Sequence, residues 1–515
     1  MKVVFRVDAS HAIASGHITR CLALAQSLRK RGGECIFVSR ELRGHLFSTV
    51  LGAGFEQRVL PGSPKHVPHH DGRDESSVAL LDDANETIDT LENERINWLV
   101  VDHYALDAVW EQYLRPHVDS ILVIDDLADR QHDCDVLLDQ NFSLLAEQRY
   151  VGLVSAETQL LCGPRYALLH PEFYRYRSTL ERQHSTSLRA FISFGGSDPD
   201  NLTGLALEAF QSPDLAHVEI DVAIGRNNPH QNVLARQIAS RPGTRAHLAP
   251  SSLAPLMAKA NFAIGAGGTT TWERFCVDLP SVVIASAENQ IPSCESLAAA
   301  ERINYVGFWT DVTVSTLRAS IQQVVDALES PGMASPETLV DGLGAERVAE
   351  VMNPAPPNAL VLRPAVDTDL DSYFSWVNDP EVRLQSLKSE PVAWVEHQLW
   401  FTERLTADDT VMYVLEANDL PIGQVRFDFS EDGAMLDYSL DTIARGRGLG
   451  AALVQRGLEQ LSRSKPIKVT AMVRDGNYAS AVTLTGLGFD SVRRPPGIEF
   501  VSLSFLTKTL GSMTR

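Results

Sequence analysis

Val3-Val4-Phe5-Arg6-Val7-Asp8-Ala9-Ser10-His11-Ala12-Ile13-Ala14-Ser15-Gly16-His17-Ile18-Thr19-Arg20-Cys21 passes from a β-rich run, through a loop of small and polar residues, into a helical pattern. Apolar positions then recur at Cys21, Leu22, Leu24, Ala25 and Leu28 until Gly32-Gly33 ends the helix. Strand-like runs follow at 34–38, 98–101 and 120–124, separated by helical or irregular segments, and this alternation predicts a parallel sheet. After a polar stretch near 178–187 the pattern restarts, with strands expected at 190–194, 218–224, 262–264 and 280–284. Two successive α/β lobes follow, spanning 1–175 and 185–350.

Bulk properties set the frame. A chain of 515 residues is too long for one core and suggests about three domains. Hydrophobic residues make up 44% and charged residues 22%, ordinary for a globular protein. No apolar run is long enough to span a bilayer, and charge interrupts the amino terminus too early for a secretory signal, so a cytoplasmic protein without a membrane partner is expected. The formal net charge of -21 repels polyanions, which argues against a nucleic-acid partner while leaving a nucleotide in a local pocket admissible. The six cysteines are scattered without a CxxC pair, so reduced thiols are expected and no metal site is indicated.

Near Val351 the character changes. Asn353-Pro354-Ala355-Pro356-Pro357-Asn358 fits neither a regular helix nor a central strand, because three prolines remove donors and fix φ. A linker at 351–359 therefore precedes a further domain at 360–515.

Each lobe carries polar groups where strands end, the edge at which open α/β sheets bind ligands. His17 stands at a helix start, where an imidazole tends to remain neutral and can take a proton from water; a histidine that merely caps the helix is the competing reading. Asp102-His103-Tyr104 and Asp125-Asp126 end two more strands of this lobe. In the second lobe, Ser193-Phe194-Gly195-Gly196-Ser197-Asp198-Pro199 and Gly265-Ala266-Gly267-Gly268-Thr269-Thr270-Thr271-Trp272-Glu273 both run from a strand into glycines. Such turns let amides and hydroxyls approach a diphosphate, and Glu273, one helical turn later, is placed to accept ribose hydroxyls.

Taken in order over about residues 1–350, these segments and Asn289-Gln290 resemble the nucleotide-sugar hydrolases of pseudaminic acid biosynthesis, themselves similar to GT-B glycosyltransferases such as MurG. That family hydrolyses UDP-2,4-diacetamido-2,4,6-trideoxy-β-L-altrose to UDP and the free sugar. The resemblance implies that His17 activates water at the anomeric carbon, with inversion and without metal. It implies that Tyr104 and Asn289 hold sugar or water. Asp8, Ser10, Gly16, Gly195, Gly196, Ser197, Gly267, Gly268, Thr269, Glu273 and Gln290 would then bind the UDP-sugar. The family usually has glycine where Ala14 stands.

In the carboxy-terminal domain, strands are expected at 412–416, 423–429, 434–440 and 468–473. Between them Arg445-Gly446-Arg447-Gly448-Leu449-Gly450 opens an amphipathic helix, so that several amides and the helix dipole face a pyrophosphate. This resembles the acetyl-CoA loop of GNAT acetyltransferases, and the resemblance implies that Leu440, Arg445, Gly446, Arg447, Gly448, Leu449, Gly450 and Asn477 bind the acetyl-CoA co-substrate. Trp376–Arg383 and His397–Phe401 resemble the subgroup that acetylates amino groups of nucleotide-linked sugars, which implies that Arg383, His397 and Trp400 face the acceptor; His397 is equally compatible with simple packing. Many GNAT enzymes carry a tyrosine seven residues after this asparagine, where this chain has Leu484.

The predicted architecture is thus α/β throughout: two Rossmann-like lobes, GT-B-like, followed by a GNAT domain. The predicted function is acetylation of a UDP-amino-sugar and hydrolytic removal of UDP, steps toward a nonulosonic acid of the kind attached to flagellin. A GT-B glycosyltransferase with an appended acetyltransferase, and a non-catalytic sensor, are the alternatives.

Overall fold

The computed structural model describes residues 1–10, 15–61, 77–92, 94–178, 188–330, 338–461, 467–474, 476–492 and 503–510. Two compact units result, Met1–Asn353 and Pro354–Arg515.

The first unit contains two parallel sheets. One comprises β1 (Lys2–Val7), β2 (Glu34–Arg40), β3 (Glu56–Leu60), β4 (Ile96–Asp102), β5 (Val118–Ile124), β6 (Val136–Asp139) and β7 (Gln159–Cys162), in the order β3-β2-β1-β4-β5-β6-β7. The other comprises β8 (Arg189–Ser193), β9 (Glu219–Ile224), β10 (Thr244–Leu248), β11 (Phe262–Ala266), β12 (Ser281–Ala285) and β13 (Asn304–Phe308), in the order β10-β9-β8-β11-β12-β13. The central strands form because near-continuous apolar runs such as Val3-Val4-Phe5 and Ser120-Ile121-Leu122-Val123-Ile124 are covered on both faces; Val3, Val4, Phe5, Ile121 and Leu122 are all fully buried. In each sheet the order reverses between the first and fourth strands. The reversal opens a crevice at β1/β4, where Val7 pairs with Asp102, and another at β8/β11, where Ser193 pairs with Gly265.

Several strands lie outside the sequence expectations. β3, β7, β10 and β13 are sheet edges; polar residues interrupt β3 (Glu-Gln-Arg-Val-Leu) and β10 (Thr-Arg-Ala-His-Leu), and β7 (Gln-Leu-Leu-Cys) and β13 (Asn-Tyr-Val-Gly-Phe) are short, so none carries the long apolar signature of a central strand. The lobe boundary also needs correction. Ala167, Leu169 and Phe173 fall before 175 but pack with Ala263, Trp272 and Cys276 of the second lobe, and Arg177 Nη1 donates to the Cys276 carbonyl at 3.1 Å. The helix Gly344–Met352 crosses the other way. Arg31 pairs with Glu350, Lys30 Nζ lies 3.1 Å from Glu346 Oε1, and Trp98 Nε1 donates to the Met352 carbonyl at 2.9 Å. Polarity marks where the chain is exposed, whereas the apolar face of each crossing helix decides which lobe it joins. Residues 351 and 352 accordingly end this helix rather than begin the linker.

The second unit is one sheet of β14 (Leu360–Pro364), β15 (Thr410–Ala417), β16 (Leu420–Ser430), β17 (Gly433–Leu440), β18 (Ile467–Arg474), β19 (Asp490–Val492) and β20 (Leu503–Leu510), in the order β14-β15-β16-β17-β18-β20-β19. Every pairing in it is antiparallel except that of β17 with β18.

The Arg31–Glu350 pair fixes the returning helix, with side chains 5% and 0% exposed. Glu350→Ala leaves a buried guanidinium without this partner and should destabilise the first unit by about 3 kcal/mol. Hydrogen exchange across 344–352, accelerated in the variant, is the measurement that checks it.

Candidate functional site

The β1/β4 crevice is organised by one carboxylate. Asp102, the last residue of β4, is 1% exposed. Its Oδ1 lies 2.5 Å from His17 Nδ1 and accepts from Arg20 Nη2 at 2.6 Å, while Oδ2 accepts from Arg20 Nε at 2.7 Å. Burial opposes its ionisation, but the Arg20 charge and then His17 outweigh burial and hold the carboxyl well below the usual carboxylate range. An anionic Asp102 requires the proton of His17 on Nδ1, which leaves Nε2 as the ring's acceptor. His17 and Arg20 share one face because they stand three residues apart on the helix Gly16–Lys30.

Arg20 continues the network to Asp126 at 2.8 Å. Tyr104 Oη donates to Asp126 Oδ2 at 2.9 Å and accepts from Asn289 Nδ2 at 3.3 Å, and its ring stands edge-on to His17 with centroids 4.7 Å apart. Burial, then the Asp126 charge, push the phenol far above its ordinary value, so it stays protonated. The three residues expected to be catalytic, His17, Tyr104 and Asn289, therefore meet, although they come from different lobes.

They line a cleft of about 850 Å³ together with Gly16, Gly195, Gly196, Ser197, Gly267, Gly268, Thr269, Glu273 and Gln290. Gly195 has φ 83°, and a Cβ on Gly225 would stand 2.0 Å from the Gly196 carbonyl oxygen, so two backbones cross here at a distance only glycine permits. A Cβ on Gly267 would meet Cys294 Sγ at 2.3 Å. The helix Thr270–Cys276 begins without a side-chain cap. Asp198 is used locally, accepting from Leu202 N at 2.8 Å and Thr203 N at 3.0 Å. Gln290 Oε1 accepts from Ser286 N at 3.0 Å. Glu273 lines the cleft with Oε2 unpartnered, and burial, opposed by Arg274, raises its carboxyl to about 7.

Two expected ligand contacts do not reach the cleft wall. Asp8 is consumed internally: it accepts from Arg6 Nη1 at 2.6 Å and from Arg40 N at 2.7 Å, and lies 3.2 Å from His103 Nε2. Ser10 is also absent from the lining, and Ala14 lies outside the described residues. Arg20, Asp102, Asp126 and Asn141 were not among the expected site residues. Asp102 and Asp126 end strands in the quoted segments, and that position was their signal. Among the described residues, no three His, Cys, Asp or Glu side chains converge to hold a metal ion.

In the second unit, β17 and β18 pair only from Ala434↔Val469 to Leu436↔Ala471 and then diverge, β17 continuing on β16 to Leu440 and β18 on β20 to Arg474. The gap faces the loop Arg445–Gly450, where Gly446 and Gly448 take φ 71° and 73° and the helix Leu449–Leu461 begins. Nothing lies within 4 Å of a Cβ built on either glycine, so the left-handed backbone, rather than crowding, demands them. The Arg445 side chain does not face this gap. It lies 2.8 Å from Asp379 Oδ1 and donates to Glu381 at 2.8 Å and to the Leu440 carbonyl at 3.1 Å, clamping the loop. Arg447 reaches the Ala355 carbonyl at 3.3 Å, and Asn477 accepts from Ser480 N at 3.1 Å as a helix cap.

The expected acceptor contacts divide similarly. His397 is 2% exposed among Phe374, Trp400 and Phe401, and burial lowers its pKa to about 4: it packs. Arg383 holds its own loop through Ser386 Oγ at 3.0 Å and the carbonyls of Lys388 and Glu390 at 3.3 and 3.4 Å. Trp400 lies half-buried beneath the Arg426 guanidinium, 5.0 Å from the ring centroid.

Residues 359–490 match the family described as the acetyltransferase (GNAT) domain, and this part of the chain is such a domain. Over 520 residues the chain is 20% identical to an uncharacterized protein of Methanocaldococcus jannaschii, covering 97% of this chain and 99% of that one. It is 26% identical over 300 residues to the UDP-2,4-diacetamido-2,4,6-trideoxy-beta-L-altropyranose hydrolase of Campylobacter jejuni, covering 58% of this chain and 96% of that enzyme. The crystal structure of Acinetobacter baumannii MurG is similar over 68% of this chain and 99% of its own, with 11% identity and a TM-score of 0.46.

A raised carboxyl favours the folded state most when protonated. Glu273 therefore contributes stability below 4.5, its ordinary value, that is lost as pH rises to about 7. Glu273→Gln should lose less stability over that interval, and carbon NMR of the glutamate carboxyls should show a resonance titrating near 7 in the unsubstituted protein that is absent from the variant.

Proposed function

We propose that this chain carries two consecutive activities on one nucleotide-sugar: acetyl-CoA-dependent N-acetylation of the 4-amino group of a UDP-4-amino-4,6-dideoxy sugar that already bears a 2-acetamido group, and hydrolysis of the UDP-2,4-diacetamido-2,4,6-trideoxy product at C1 with inversion. The product suits a pseudaminic-type nonulosonic acid pathway. The observation that carries the hydrolytic half is the His17–Asp102 contact of 2.5 Å at the wall of a cleft whose far side is glycine turns.

The chemistry follows from the residues. Asp102, kept anionic by Arg20, fixes the imidazole with Nδ1–H toward itself, and Nε2 takes a proton from water as the water oxygen bonds to C1. The bond from C1 to the diphosphate oxygen breaks, and UDP carries its electron pair away. Amides of the Gly195–Ser197 and Gly267–Thr269 turns meet the departing negative charge, and Glu273 accepts the ribose hydroxyls. Tyr104, locked as a donor-acceptor between Asp126 and Asn289, orients the sugar or the attacking water. In the other unit the Gly446–Gly450 amides hold the pyrophosphate of acetyl-CoA, and the gap between β17 and β18 takes the pantetheine arm. A neutral amine then attacks the thioester carbonyl, whose developing oxyanion is met by strand amides.

His17→Phe should cut UDP release by about 10³-fold, measured by an assay that detects UDP, on the diacetamido donor in water without any acceptor, while acetyl transfer persists. Release that occurs only after a sugar acceptor is added identifies a glycosyltransferase and overturns the hydrolytic reading. Gly448→Val imposes a β-branched side chain at φ 73° and should abolish acetyl-CoA binding by calorimetry while UDP release continues.

A further inference from the structure

The acetyltransferase unit has Leu484, fully buried, where a phenol acid would be expected. The departing thiolate of an acyl transfer needs a proton or a strong hydrogen-bond donor. Tyr478, nearby in sequence, is 80% exposed on the outer side of its helix. A different phenol occupies the gap. Tyr438 lies on β17 two residues beyond Leu436, the last residue that pairs with β18, so its backbone belongs to the divergent section. Alternation along the strand sends Asp437 outward and turns Tyr438 to the face of Leu436.

Three contacts fix the ring. Its Cε2 stands 3.7 Å from a Cβ built on Gly450, at the start of the glycine-loop helix. Its hydroxyl donates to Ser480 Oγ at 2.9 Å, in the first turn of the helix Tyr478–Gly486. Thr483 stands beside the same Gly450 position at 3.8 Å. The phenol therefore bridges the loop that receives the pyrophosphate and the helix that carries Leu484. Burial raises its pKa, partly offset by Ser480 and Thr483, so it holds its proton at neutral pH.

We propose that Tyr438 is the acid of acetyl transfer: as the amine nitrogen bonds to the acetyl carbon and the carbon–sulfur bond breaks, Tyr438 Oη turns from Ser480 to give its proton to the departing thiolate. The proton lost by the acylated nitrogen, relayed through the Ser480 hydroxyl and solvent, restores the phenol, so the net change is one N–H exchanged for one S–H. This rests on the acetyltransferase reading above.

The test compares the full chain with its Tyr438→Phe and Tyr478→Phe variants, using CoA itself as the probe. Thiolate absorbance of bound CoA is followed against pH, and acetyl-CoA affinity is measured by calorimetry. A phenol donor stabilises the thiolate, so the bound thiol should titrate roughly one unit higher in Tyr438→Phe than in the unsubstituted chain, with no shift in Tyr478→Phe and acetyl-CoA affinity within about twofold. With the UDP-4-amino sugar as acceptor, kcat should fall about 10²-fold with KM for acetyl-CoA preserved. A bound thiol that titrates identically in all three proteins overturns the assignment of Tyr438. Failure of the unsubstituted chain to bind acetyl-CoA instead overturns the acetyltransferase reading on which it rests.

Discussion

A single buried negative charge organises the first unit's site. Asp102 ends a central strand at the point where the sheet order reverses, and desolvation there penalises its charge unless every lone pair is engaged. Arg20 supplies two donors and His17 a third. Satisfying that carboxylate fixes the histidine's tautomer, its ring orientation and the register of the helix Gly16–Lys30 against β4. Tyr104 and Asn141 are then drawn to Asp126 by the second arm of the same arginine. The arrangement holds an acceptor nitrogen at a cleft wall, and the glycine turns of the second lobe line the same cleft.

A second carboxylate at the end of the adjacent strand does different work. Asp8 and Asp83 neutralise Arg6 and Arg40 beneath the site, and Trp110 Nε1 adds a donor to Asp83 at 3.0 Å. Burial of Asp8 at 3% exposure, with His103 on its other oxygen, converts a residue that looks like a ligand contact into a brace between β1, β2 and β4. Position at a strand end thus does not decide whether a carboxylate faces the ligand or the scaffold. The deciding factor is the number of cations already committed to it.

The same distinction governs what could be read from the sequence. Strands built around apolar runs, Val3-Val4-Phe5 and Ile121-Leu122-Val123-Ile124 among them, announce themselves because both faces are covered, whereas edge strands such as Thr244–Leu248 have one side open and read as loops. The glycine turns and His17 could be singled out because each stands where a strand gives way to a helix start, the edge at which open α/β sheets bind ligands. Which partner orients His17 was not legible, since Asp102 is 85 residues away and only strand pairing brings it close. The helices that cross between lobes were invisible for a similar reason: Glu350 meets Arg31 across 319 residues. In the second unit the loop was readable, but the side chains of Arg445, Asn477, Arg383 and His397 turned out to be engaged in contacts within the unit itself. A motif specifies the backbone path more securely than the direction of each side chain along it.

The central claim is that water, deprotonated by an imidazole held on Asp102, attacks the sugar carbon rather than the phosphorus. Hydrolysis of the UDP-diacetamido sugar in water enriched with heavy oxygen, followed by mass spectrometry of both products, tests it most directly. The account predicts the label on the sugar's anomeric hydroxyl and none in UDP; label in the terminal phosphate of UDP would contradict it.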